Sequence, residues 1–180
     1  MAANPPLEVL RLTNNHLDDN DAVMIARALK QNTNLDILCI DQNDITDTGR
    51  DAIRTAIFDS TSLNAMADSN HSCRIMGIKD FYVKNNVGGD SNVNRGRKIY
   101  SLLSSWHKEG VNVRHLNSEF DDDELKLVPK VLESVHHCAE YCYSPEGKLH
   151  YGVHPLSITY EILRNWKMPS LYEKNGQQNR

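Results

Sequence analysis

LEVLRLTNNHL at Leu7–Leu17 and LDILCIDQNDI at Leu35–Ile45 are one pattern, L-x-x-L-x-L-x-x-N-x-L, written twice 28 residues apart. Leu7, Leu10, Leu12, Asn15 and Leu17 of the first copy fall on Leu35, Leu38, Ile40, Asn43 and Ile45 of the second. A fixed period of this length marks a chain that stacks one small unit, because no single unit can bury its apolar face alone. Within each copy the central leucines alternate with other residues, which reads as a short strand. The buried register is Leu10 and Leu12, then Leu38 and Ile40. The exposed register is Val9, Arg11, Thr13 and Asn14, then Ile37, Cys39, Asp41 and Gln42. Asn15 and Asn43 stand where the chain leaves the strand. A side-chain amide there can serve backbone groups of neighbouring coils that would otherwise lack partners.

Each strand pattern is followed by a helical one. Asp19 and Asp47 are the expected N-caps, since a short carboxylate accepts from free N–H groups and suits the positive helix end. Met24, Ile25, Ala28 and Leu29 predict one apolar face, and Ala52, Ile53, Ala56 and Ile57 repeat it. At the same period, Leu63 and Met66 continue the pattern, but Asp68 replaces Leu12 and Ile40. Residues 63–75 therefore read as a decayed, terminal coil.

These motifs resemble those of the leucine-rich repeat family in its long, ribonuclease-inhibitor-like form, numerous in diatoms. The resemblance covers Leu7 to about Ile75. It implies an α/β fold, a short right-handed solenoid of about 2.5 repeats of 28 residues, with parallel strands and helices. It also implies a non-enzymatic protein-interaction module with no cofactor. An adaptor or GTPase-regulatory role, as in ubiquitin-ligase subunits or activators of Ran-type GTPases, is the alternative. Arg11, Thr13, Asp41 and Gln42 are the expected partner contacts, being off the buried register and able to hydrogen-bond.

Composition narrows the remaining classes. The chain has 180 residues, 39% hydrophobic and 24% charged, with a net charge of -4 and a mean hydropathy of -0.56. No apolar run reaches the ~18 residues of a membrane span, and no basic-then-apolar leader opens the chain. The cytoplasm is the expected compartment, with the nucleus left open. Residues 1–75 carry six Lys or Arg against eleven Asp or Glu, and residues 76–180 carry fourteen against thirteen. Neither part has the basic excess of a nucleic-acid binder.

The expected organisation is a repeat region over 1–77, an Asn/Gly-rich linker over 78–97, a helical region over 98–173 and a disordered tail over 174–180. In the linker, KNNVGGDSNVNRGR lacks the glycine spacing and Gly-Lys-Ser/Thr of a phosphate loop. Ile99, Leu102, Leu103 and Trp106 predict a helix over 95–107 that ends near Gly110. Asp121–Glu124 reads as a solvated helix start. Pro129 opens a helix with the face Val131, Leu132, Val135, Ala139 and Cys142. Pro155 opens another with Leu156, Thr159, Ile162, Leu163 and Trp166.

Cys138, Cys142, His150 and His154 have the residue types of a zinc site. The seven-residue gap between the pairs is short for a finger, so apolar-face cysteines and surface histidines are the preferred reading. No metal is expected. Because MAANPP offers nothing to cover Leu10, Leu12 and the first helix, the N-terminal edge is expected to be open: either the chain is a fragment of a longer repeat protein, or that edge pairs with another molecule, self-association included.

Overall fold

The structure is a computed structural model. It describes residues 6–79, 81, 85–88, 90–119, 132, 135–137 and 152–165. The elements run β1 (Val9–Arg11), α1 (Asp19–Gln31), β2 (Ile37–Cys39), α2 (Asp47–Ile57), α3 (Leu63–Ala67), β3 (Arg74–Met76), α4 (Ser91–Glu109), α5 (Asn112–Glu119) and α6 (Pro155–Asn165). The chain divides into two compact units, Met1–Lys98 and Ile99–Arg180.

In the first unit the strands form an open parallel sheet in the order β1-β2-β3. Leu10 stands beside Leu38, and Leu38 beside Ile75. Leu38 is fully buried, and Leu35, Ile40 and Ile45 are nearly so. Their equivalents in the first coil are not: Leu10, Leu12 and Leu17 are half-buried and Leu7 is 41% exposed. The inward register holds in both coils, but only the second is flanked on each side by another strand.

Asn43 joins the two coils as its position in the repeat suggested. Its Oδ1 accepts from Asn15 N–H at 2.9 Å and Leu17 N–H at 3.1 Å. Its Nδ2 donates to Leu12 O at 2.8 Å and Ile40 O at 2.9 Å. Asn15 bonds within its own turn, donating to Thr13 O.

The helices correct the expected caps by one residue. Asp18, not Asp19, caps α1 in a reciprocal box with Asp21, and Thr46, not Asp47, caps α2. Hydrogen bonds from the Asp21 and Asn20 N–H groups hold the Asp18 carboxyl below its usual range, the Asp21 bond being the larger cause. Asp19 reaches across to the next helix, accepting from Thr46 N–H at 2.8 Å, Thr46 Oγ1 at 2.6 Å and Gly49 N–H at 3.1 Å. The Thr46 hydroxyl is the main reason its carboxyl is also lowered. Gly49 makes this approach feasible, since a Cβ there would lie 2.5 Å from Asp19 Oδ1 and 2.9 Å from Ala22 Cβ.

The buried stripe of α1 is Ala22, Ala26 and Leu29, whereas Met24 is 61% exposed and Ala28 is exposed. In α2 it is Gly49, Ile53, Ala56 and Ile57, with Ala52 half-buried. The face is set by small residues where α1 and α2 pack together. Apolarity alone rotates the expected face of α1 away from the alanines that fit that approach.

The third coil departs from the 28-residue period. Leu63 and Met66 lie buried in α3, and the third strand is Arg74–Met76, with Ile75 in the place of Leu38. The inserted helix lengthens the step from β2 to β3 to 37 residues, the offset from Leu38 to Ile75. Asn70, the asparagine of a glycosylation sequon, is buried and structural. Its Nδ2 donates to Leu29 O and Asn32 O at the end of α1, and its Oδ1 accepts from Ser72 and Cys73 N–H.

The described part of the expected linker is ordered structure. Ile78, Phe81, Asn86 and Asn94 are buried, and α4 begins at Ser91 rather than 95. Asparagines there close backbone groups instead of loosening the chain. Asn85 accepts from Ile75 N–H and donates to Ile75 O, occupying with one side chain the edge that a fourth strand would take. Asn86 donates to Cys73 O, and Asn94 to His71 O. Lys98 is buried with its Nζ donating to Ile57 O at 2.7 Å and Asn70 O at 2.8 Å, and burial lowers its pKa to about 7.

In the second unit Leu102, Leu103 and Trp106 are buried as expected, and Gly110 ends α4 with φ +69°. The Trp106 and His115 rings stack 4.1 Å apart. Tyr100 donates to Val153 O at 2.7 Å, and His107 pairs with Glu161, which also accepts from Asn112. Pro155, Ile158 and Ile162 form the buried stripe of α6, while Leu156 and Leu163 are exposed, so the helix faces inward about a quarter-turn from the expected stripe. Residues 121–124 and 174–180, and Val131, Ala139, Cys142 and Trp166 of the expected faces, lie outside the described residues.

Candidate functional site

The strand pattern that buries Leu38 and Ile75 points the odd residues of β1 and β2 and the flanking residues of β3 the other way. The register then sets them in two rows across the sheet. One row is Val9, Ile37 and Arg74, and the next is Arg11, Cys39 and Met76. Val9 is 40% and Met76 43% exposed, Arg11 and Arg74 are exposed, and Ile37 and Cys39 are half-buried. Single exposed apolar residues are ordinary, but here they are contiguous and framed by charge.

Arg11 stands on β1. Thr13, Asp41 and Gln42 lie in the turns beyond the strands and not on them, because the chain bends out of the sheet after Leu12 and Ile40. Asn14 and Gln42 both take a left-handed backbone, φ 59° and 55°. Asn14 N–H donates to Asp41 O at 3.0 Å, so the two turns run side by side. All four expected contact residues are exposed.

A component that the repeat pattern did not reveal adjoins this face. Met76, Ile78, Phe81 and Val87 line a mostly apolar cavity of ≈ 260 Å³, with Arg74 at its side. Gly77, at φ +96°, lets Asp41 pass close, since a Cβ at 77 would lie 2.7 Å from Asp41 N. The signal for this cavity was the run Ile78–Phe81, hidden by reading residues 78–97 from their asparagines and glycines.

Cys39 and Cys73 are free thiols, and burial pushes Cys73 up to about 12, so it stays protonated. Cys138, Cys142 and His150 lie outside the described residues. His154 is exposed and its Nδ1 accepts from Leu156 N–H at the start of α6. Among the described residues no three His, Cys, Asp or Glu side chains are placed to hold a metal ion. No described helix is long and apolar enough to cross a membrane.

The family model described as Leucine Rich repeat matches residues 3–26 and 31–53. No curated protein and no solved structure matches the chain. The matched segments are the two coils that Asn43 and Asp19 tie together, so the likeness to leucine-rich repeats falls on this part of the chain.

Proposed function

We propose that the chain is a non-enzymatic interaction module of the ribonuclease-inhibitor-like kind, docking a protein partner on the exposed face of its sheet. Leucine-rich repeats generally mediate protein–protein contacts, and parallel strands stacked coil on coil offer a continuous surface for them. The observation that carries the reading is the pair of rows from Val9 to Met76, apolar at the centre, with Arg11 and Arg74 in the rows and Thr13, Asp41 and Gln42 exposed in the turns beyond the strands. Such a framed apolar centre is the usual anatomy of a contact surface. A photo-crosslinking residue introduced at Thr13 or Gln42 should capture the same partner from extract, and one at Ala28 on α1 should not. Capture from Ala28 alone would move the surface to the helices and refute the assignment.

A further inference from the structure

The charge of the strand rows runs against the charge of the region that bears them, although Asp41 puts one carboxylate in the turn beyond β2. Residues 1–75 carry eleven acidic and six basic side chains. The cations with carboxylate partners are placed on the helices, with Lys30 near Asp59, Arg50 on Asp47 and Arg54 on Asp51. Arg11 and Arg74 are the two charged residues of the strand rows, and among the described residues neither has a carboxylate partner. The register separates them by two strands and two residues, which puts their Cα atoms ~12 Å apart on a diagonal. Between them lie Ile37 and Cys39, and beside Arg74 opens the apolar cavity of Met76, Ile78, Phe81 and Val87. A guanidinium left in water on a partly apolar face is a ready partner for a carboxylate, which it can hold through two parallel hydrogen bonds.

We propose that this face recognises an acidic peptide segment with an apolar anchor: two carboxylates spaced to meet Arg11 and Arg74, and one aliphatic or aromatic side chain seated in the Met76–Phe81 cavity. This rests on the sheet-face reading and specifies its ligand. The cavity supplies the buried anchor contact that dominates affinity, and the arginines supply orientation and faster association.

The test is a library of random peptides displayed on phage and selected against the full chain. Recovered peptides should pair Asp or Glu with Leu, Phe or Met, and bind less tightly as salt rises. Arg11→Glu or Arg74→Glu should each weaken them about tenfold, and Met76→Asp at least as much, with Arg27→Glu on α1 leaving them unchanged. Against the double Arg→Glu protein, peptides with Lys in place of their acids should recover binding. Circular dichroism on each variant separates lost contact from lost fold. Neutral or basic peptides that Met76→Asp still abolishes would overturn the acidic ligand and leave the sheet face standing. Peptides insensitive to every face substitution, or none recovered, would overturn both.

Discussion

Replacing Asn43 by alanine removes one side chain and strands four backbone groups. Asn15 and Leu17 lose an acceptor for their N–H groups, and Leu12 O and Ile40 O lose a donor. A net hydrogen bond contributes about 0.5–1.5 kcal/mol, so four bonds bracket roughly 2–6 kcal/mol. Asn43 is half-buried and Asn15 exposed, so water replaces part of the loss and about 2–4 kcal/mol remains. Asn15→Ala is the matched control, losing a single exposed bond to Thr13 O and costing under ~1 kcal/mol. Urea unfolding of the full chain, followed by circular dichroism, gives the difference. Amide hydrogen exchange locates it, with Asn15 and Leu17 losing protection in Asn43→Ala. Equal costs at the two positions would refute the bridge between coils and reduce both residues to ordinary turn asparagines.

Three other outcomes follow from named contacts. Ile40→Asp should unfold the first unit by burying an unpaired charge, while Leu12→Asp, at a half-buried position, should cost clearly less. Arg11→Ala and Asp41→Ala should stay within about 0.5 kcal/mol in the same melts, and an equal loss across all four would mean the register is off by one. Gly49→Ala should destabilise by roughly 2 kcal/mol although alanine is the better helix former, because its Cβ meets Asp19 and Ala22; a raised melting temperature would show that Asp19 can withdraw freely. For Lys98, burial sets the folded pKa at about 7 against an ordinary 10.5, so the unfolded chain holds the extra proton as pH rises between them. Stability relative to Lys98→Met should therefore grow from about pH 7 to about 10. A neutral amine keeps two N–H groups, enough for Ile57 O and Asn70 O. A difference in urea midpoint that stays flat over that range would place the charge in water.

What was legible in the sequence was local and periodic. The alternation in LEVLRL and LDILCI defined two strands and their buried side, and the asparagine that follows fell where a neighbouring coil needs an amide. Those features depend on residues close in the chain, and repetition doubled the signal. The outward strand positions Val9, Arg11, Ile37 and Cys39 came from the same alternation. The third strand did not, because the step from β2 to β3, which includes α3, is nine residues longer than the step from β1 to β2, and only pairing with β2 reveals that Ile75 replaces Leu38. The cap at Asp18, with Asp19 freed to serve α2, likewise depends on how closely the two helices approach across Gly49. Asparagine-rich sequence from 84 to 95 has the composition of a linker, yet Asn85, Asn86 and Asn94 take up backbone groups of residues 71–75 and 88. An amide side chain bonds equally well to water or to a stranded peptide group, and composition is the same in both cases. Only the fold, by bringing the open edge of β3 within reach of Asn85, decides which it meets.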